Sequence, residues 1–329
     1  MKKVLIIFLA VLLTAGCMSG CSAGTGGPAA KDGGISIVAT VFPEYDWVMN
    51  ILGENPGGAD VTLLLDSGTD LHSYQPTAED IMKISACDLF IYVGGESDKW
   101  VDDALQEATN KNMVVISLLD LLGDAAKEEE AVEGMQTEEE EEEADEAEEG
   151  PEYDEHVWLS LRCASRLVEQ IAEAICGIDA ANAAIYRSNA EAYVGKLAAL
   201  DAEYGAAVAG AKVTTLLFAD RFPFRYLTED YGLSYYAAFI GCSAETEASF
   251  ETVTFLSGKV DELGLETVLI IEGSDGKIAD TVVRNTSSAD QKILVMDSMQ
   301  SVTAKDVRNG TTYLGIMEKN LSVLKEAIQ

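Results

Sequence analysis

Histidine is almost missing from this chain, with two imidazoles in 329 residues. Basic residues are scarce too: 22 Lys and Arg stand against 57 Asp and Glu, for a net charge of −35. A surface of that sign repels phosphate, which excludes nucleic acids as partners and charge-driven binding to anionic lipid headgroups. Metal cations, cationic ligands and basic protein surfaces remain. Proline is rare, at six, beside 28 glycines, so the chain is neither collagen-like nor largely disordered. No CxxC pair occurs among the six cysteines, which removes a zinc ribbon. HExxH, GxSxG and P-loop patterns are absent, so a metallohydrolase would lack a nucleophile or a general base.

What is present begins with an export signal. Lys2 and Lys3 precede an apolar run from Val4 to Ala15, too short to span a bilayer comfortably. Small residues then precede a cysteine twice, at Cys17 and at Cys21, a pattern that looks like a bacterial lipobox. Residues 1–24 are read as a lipoprotein signal, with one of these two cysteines lipidated, and 25–34 as a flexible tether. No later segment approaches the length of a membrane span, so the mature chain is expected to be anchored to the outer face of the membrane rather than to cross it. Cys87, Cys163 and Cys176 sit in apolar contexts and read as small core residues.

With 48% apolar residues, the chain is long enough for two domains. β-branched runs predict strands at 35–42, 61–65, 88–93 and 113–117, with helical spacing at 43–52, 78–85 and 100–109 between them. Alternation at this spacing argues for a parallel sheet flanked by helices. It resumes after residue 210, with strands at 213–218, 235–240, 267–271 and 292–296 and helices at 224–230, 250–263, 278–285 and 311–328. The expectation is an N-terminal α/β lobe (35–181), a linking helix (182–209) with Tyr186, Tyr193, Leu197 and Leu200 near one face, and a C-terminal α/β lobe (210–329). Between Lys127 and Glu155 lie seventeen acidic residues and one lysine, including the run Glu138 to Glu143. This stretch is expected to be a solvated, disordered loop, and a tight metal site is expected to survive removal of residues 127–150.

Both histidines fall in loops between a strand and a helix, where open α/β sheets gather ligand groups. The residues around them are specific. Asp70-Leu71-His72-Ser73-Tyr74-Gln75-Pro76-Thr77-Ala78-Glu79-Asp80 resembles the D-x-H-x-Y-x-P-T-x-x-D motif of zinc and manganese solute-binding proteins of ABC importers, the cluster A-I family. Glu155-His156-Val157-Trp158-Leu159-Ser160 is similar to the family's D-P-H-V-W-L-S, with Glu155 where proline is usual. Tyr92-Val93-Gly94-Gly95-Glu96 with Trp100, Asn189 to Tyr193 with Lys196 and Leu197, and Tyr231-Gly232-Leu233 extend the match over residues 35–329.

The resemblance implies two (βα)4 lobes with parallel sheets, joined by a long rigid helix, and a metal site between them built on His72 and His156. It also marks a departure. The third histidine of zinc-type members falls on Arg221, which cannot ligate. Asp220 beside it is a candidate donor. The glutamate of manganese-type members falls near Gly241, which makes Cys242 a candidate, and a thiolate favours zinc over manganese. The family's last ligand matches Asp297. Glu272 is a candidate to orient a histidine from behind, and Arg221 to balance the site's carboxylates. The function implied is capture of a divalent transition metal, zinc or alternatively manganese, and delivery to an ABC permease by a lipid-anchored monomer that is not an enzyme. Relatives of this family also suggest a role in cell adhesion.

Overall fold

The computed structural model describes residues 34–136, 152–243 and 247–329. The signal, both lipobox cysteines and the run Glu138 to Glu143 lie outside them. Strands β1 (Ser36–Ala39), β2 (Asp60–Leu63), β3 (Leu89–Tyr92) and β4 (Val114–Ser117) form one parallel sheet in the order β2-β1-β3-β4. Strands β5 (Thr215–Phe222), β6 (Ser234–Ile240), β7 (Thr267–Ile271) and β8 (Lys292–Met296) form a second in the equivalent order β6-β5-β7-β8, also parallel. The central strands read as unbroken apolar runs because helices cover both faces. Every residue of β7, Thr-Val-Leu-Ile-Ile, is buried.

Helices α1 (Phe42–Leu52), α2 (Ala78–Ala86), α3 (Trp100–Gln106) and α4 (Leu118–Leu122) belong to the first lobe. Next come α5 (Leu161–Ile178) and the 27-residue α6 (Ala183–Ala209). The second lobe carries α7 (Arg225–Tyr231), α8 (Phe250–Leu263), α9 (Lys277–Asn285), α10 (Ala304–Arg308) and α11 (Tyr313–Ala327). Helix α6 buries Tyr186, Ala190, Tyr193, Leu197, Leu200 and Tyr204, one residue per turn along one side. Its N-terminal half holds the first lobe through Asn189 Nδ2 to Ile51 O (3.0 Å) and Tyr193 Oη to Asp46 Oδ2 (3.2 Å). Its C-terminal half holds the second through Tyr204 Oη to Met317 O (2.7 Å). One apolar core runs through this helix into both lobes, and a separate cluster packs α8 and α9 on the far face of the second sheet.

Two expectations need correction. The acidic segment is not solvated throughout, because both of its ends are built into the fold. Glu128 pairs antiparallel with Tyr153, and Gln136 pairs with Phe239 on the edge strand β6. Strand β5 also continues past Phe218 to Phe222, through a shift of register against β6. Asp220 and Arg221 are therefore strand residues, not members of a loop free to move. Cys87, Cys163, Cys176 and Cys242 are free thiols.

Where β1 meets α1, Glu44 is fully buried and its Oε2 accepts the Thr40 N–H (2.8 Å), the Val41 N–H (3.2 Å) and the Thr40 hydroxyl (3.1 Å). Burial overrides these bonds and pushes its pKa up to about 8. Between pH 4.5 and 8 the folded chain thus holds a proton that the unfolded chain has released, so stability falls as pH rises through that window. The slope is at most about 1.4 kcal/mol per pH unit from this group. Glu44→Gln should flatten the decline. Urea midpoints of the metal-free protein at pH 5 and pH 8 measure it, and an equally steep decline in the variant would remove Glu44 as its source.

Candidate metal centre

The carboxyl ends of the two sheets face each other, and each contributes loops to the seam between the lobes. His72 follows β2, in the 3₁₀ turn Leu71–Ser73. Asp70 caps that turn, its Oδ1 accepting the His72 N–H at 3.0 Å. Thr77 and Asp80 cap α2 reciprocally, and Asp80 also accepts the Tyr74 hydroxyl (3.0 Å), which pins the far side of the motif. His156 precedes the turn Val157–Leu159 and is fully buried. Asp154 Oδ1 accepts both the His156 backbone N–H (2.8 Å) and the Nδ1 proton (2.9 Å).

The rings meet with Nε2 to Nε2 at 3.2 Å. His72 Nδ1 lies 2.8 Å from Ser97 Oγ and 3.3 Å from Glu155 Oε2. With Glu155 and Asp154 oxygens beside the two Nδ1 atoms, the tautomer protonated at Nδ1 leaves both Nε2 lone pairs available to a cation. Such an arrangement is repulsive without a positive charge between the two atoms. Tetrahedral Zn–N bonds of about 2.0–2.1 Å place two nitrogens about 3.3 Å apart, close to the separation found. Cys242, after β6, completes the group: its Sγ and ligand atoms of His72 and His156 lie within 4.8 Å of one another. Gly241 is required beside it, because a Cβ there would sit 2.9 Å from Phe222 O and 3.1 Å from His156 Cε1.

The surroundings are anionic. Burial works to lower the His156 pKa, but Asp154, with Glu129 and Glu155 beyond it, outweighs burial and raises it. Burial likewise opposes ionisation of Glu155, and the contacts with His72 and Ser97 reverse this and hold its pKa low. Burial, then the charges of Glu129 and Asp154, keep the Cys242 thiol well above its ordinary pKa. A bound dication inverts that balance and favours the thiolate.

The other expected donors lie outside this group. Asp220 Oδ1 accepts the Arg221 N–H (2.9 Å) and Oδ2 the Ile271 N–H (3.4 Å), as its place inside β5 dictates. Asp297 Oδ1 accepts the Met299 N–H (2.8 Å), and Asn320 grips its backbone on both sides. Neither residue joins the histidine–cysteine group. Glu272 does not back a histidine: its oxygens take the Ser298 N–H (2.6 Å), the Ser298 hydroxyl (2.8 Å) and the Gln300 N–H (3.0 Å). Arg221 does meet a carboxylate, Asp70 Oδ2 at 2.6 Å, across the seam. Burial opposes the charge on Asp70, and Arg221 overrides it and lowers the pKa.

Residues that sequence reasoning passed over hold the centre in place. Ser97 and Glu155 back His72, and Glu155 Oε1 in turn accepts the Ser97 N–H at 2.8 Å. The departure from proline at position 155 thus supplies a carboxylate behind the metal-facing ring, and a carboxylate in place of proline was the one visible signal. Tyr226 Oη donates to Asp154 O (2.9 Å) and accepts the Lys127 N–H (2.8 Å), tying the second lobe to the His156 loop.

Two parallel α/β lobes on a bridging helix, with ligand-bearing loops converging in the seam, place the chain among the two-lobed solute-binding proteins. It belongs to the ZnuA family, zinc-uptake complex component A, periplasmic, whose model matches residues 37–327. The chain is 30% identical over 323 residues to the high-affinity zinc uptake system protein ZnuA of Bacillus subtilis, covering 98% of this chain and 96% of that one. It is 31% identical over 295 residues to the zinc-binding lipoprotein AdcA of Streptococcus pneumoniae, covering 90% of this chain. The chain spans only 56% of the length of that streptococcal relative. Among solved structures, the Zn(II)-bound ZnuA-like domain of the Streptococcus pneumoniae AdcA superposes with a TM-score of 0.69 at 29% identity, over 90% of this chain and 99% of that domain.

Proposed function

We propose that this protein captures one zinc ion in the seam between its lobes and passes it to an ABC importer. One observation carries the reading: two histidine Nε2 atoms held 3.2 Å apart by carboxylate and hydroxyl partners, with Cys242 beside them. The zinc-uptake and zinc-binding relatives support reading the cation as cargo and the protein as a binder. The sequence signal at Cys17 or Cys21 supports a lipid anchor on the outer face of the membrane, which would keep the protein beside its permease. Its negative charge draws cations and disfavours nucleic acid.

Two imidazoles and a thiolate suit zinc. Manganese prefers oxygen donors and ranks lower in intrinsic affinity for such a set. The test is competition of zinc against manganese on the parent, Cys242→Ser and Asp220→Ala proteins. Zinc should displace manganese from the parent at equal concentration, Cys242→Ser should narrow the preference by at least about tenfold, and Asp220→Ala should match the parent. Manganese displacing zinc from the parent would sink the assignment of the cargo.

A further inference from the structure

We propose that Glu129, from the acidic segment, is the fourth metal donor, completing a tetrahedron with His72, His156 and Cys242. The inference rests on the zinc-capture reading and deepens it.

Glu129 is held from several sides. Its backbone N–H donates to Glu152 O (2.8 Å). Upstream, the Lys127 N–H donates to Tyr226 Oη (2.8 Å), and Arg225 donates to Glu128 O. Downstream, the Gln136 N–H donates to Ala238 O (2.9 Å) on the edge of the second sheet, and Gln136 Oε1 accepts the Ser249 N–H (2.8 Å). The strap from 127 to 136 therefore runs across the seam with Glu129 turned inward. Its Oε1 accepts the Gly241 N–H at 2.8 Å, which leaves Oε2 3.8 Å from Cys242 Sγ.

That spacing is what a shared cation needs. Tetrahedral bonds of about 2.3 Å to sulfur and about 2.0 Å to oxygen put the two atoms about 3.5 Å apart. The nitrogen–nitrogen edge of the tetrahedron is formed at 3.2 Å and Glu129 Oε2 lies 3.8 Å from Cys242 Sγ, while Glu129 stands just outside the group in which the other three donors lie within 4.8 Å of one another, so its carboxylate moves inward to close on the metal. A carboxylate with one oxygen fixed by a backbone N–H and the other facing the metal has the orientation that outer-shell bonds impose on ligands. Charge agrees as well. When zinc enters, the Cys242 proton leaves to solvent, and one thiolate plus one carboxylate match the dication in a buried site where unbalanced charge is costly. Of the alternative carboxylates, Asp220 has both oxygens on backbone N–H groups, and neither Asp220 nor Asp297 has a contact with Cys242 or the two histidines such as Glu129 makes with Cys242.

The assignment changes what removal of the acidic segment does. A deletion of residues 127–150 takes away Glu129 and should weaken the tight site. Serine in place of the six glutamates at 138–143 should leave it intact.

The experiment uses the full chain, zinc competition against a chromogenic chelator, and cobalt(II) absorption at saturating metal. Glu129→Gln retains an acceptor for the Gly241 N–H and removes the donor. Its zinc affinity should drop about 100-fold, near the upper end of what loss of a supporting group costs. The intense visible bands of four-coordinate cobalt should weaken, while the sulfur-to-cobalt charge-transfer band from Cys242 persists. Parent affinity, or parent four-coordinate bands at saturating cobalt, would overturn the role of Glu129 whether or not the strap has loosened. Parent affinity in His72→Ala is a different failure, and it would remove the zinc-capture reading on which the inference stands.

Discussion

Zinc affinity is expected to fall by about two to three orders of magnitude in either His72→Ala or His156→Ala. Structural zinc sites bind with roughly 10–16 kcal/mol, and an even share among four donors is worth two to three decades each. The two variants should differ in stability. His156 is fully buried and hydrogen-bonded to Asp154, so its loss leaves a cavity and takes one of the two hydrogen bonds from a buried carboxylate oxygen. The metal-free His156→Ala protein should melt well below the parent, and His72→Ala, whose side chain is 7% exposed and lies 3.3 Å from the buried Glu155 carboxylate, should also melt below it but by less. Asp154→Asn keeps the ligand and weakens its support, for an expected loss of about 10–100-fold. Asp297→Ala, outside the group, should bind zinc like the parent. Chelator competition measures all four, and a His72→Ala protein that titrates like the parent would refute the site.

The lobes are legible in the sequence because each element is local. Strands β7 and β8 and helix α8 occupy the expected ranges, since an apolar run or a 3.6-residue period is written within a few residues. The histidines are legible through their scarcity and their flanking motifs. Donors that depend on distant contacts are not. Asp220 looked like a loop residue because the apolar run of β5 ends at Ala219, yet pairing with β6 carries the strand on to Phe222. Cys242 is 86 positions from His156 in the sequence, and only the return of β6 to the seam brings them together. Glu129 was hidden by its company: among seventeen carboxylates, composition predicts a solvated loop and cannot single out the one that the Tyr226 and Gly241 contacts turn inward. Glu155 registered as an exception to a motif, and its reach to His72 required the fold.

The largest loss of stability is expected at Trp158, two residues after the buried histidine. Its side chain is fully buried, with the indole N–H donating to Ser298 O (2.9 Å) in the loop after β8. Its carbonyl accepts the Tyr313 hydroxyl (2.6 Å) at the start of α11, and Tyr313 packs edge-on against Trp47 of α1. The ring also stands edge-on to His156, with centroids 5.4 Å apart. One residue thus joins the His156 turn, the last strand of the second lobe and, through Tyr313, the first helix of the first. Trp158→Ala should cost about 3–5 kcal/mol from lost packing and the cavity left behind. Stranding Ser298 O adds roughly 1–3 kcal/mol unless water reaches it. Against a total stability of about 5–15 kcal/mol, this is enough to lower the melting temperature by about 10 °C or more. Trp158→Phe keeps most of the ring volume and loses only the N–H, so it should cost about 1–3 kcal/mol. Because the same ring walls His156, the alanine variant should also bind zinc more weakly than the phenylalanine variant. Thermal melts with and without zinc separate the two effects: packing loss lowers the metal-free curve, and a looser site shrinks the upward shift that zinc produces. A Trp158→Ala protein melting within 2 °C of the parent, a shift of about 1 kcal/mol or less, would show that the lobes are held together elsewhere, along α6 and not through the turn that carries the metal ligand.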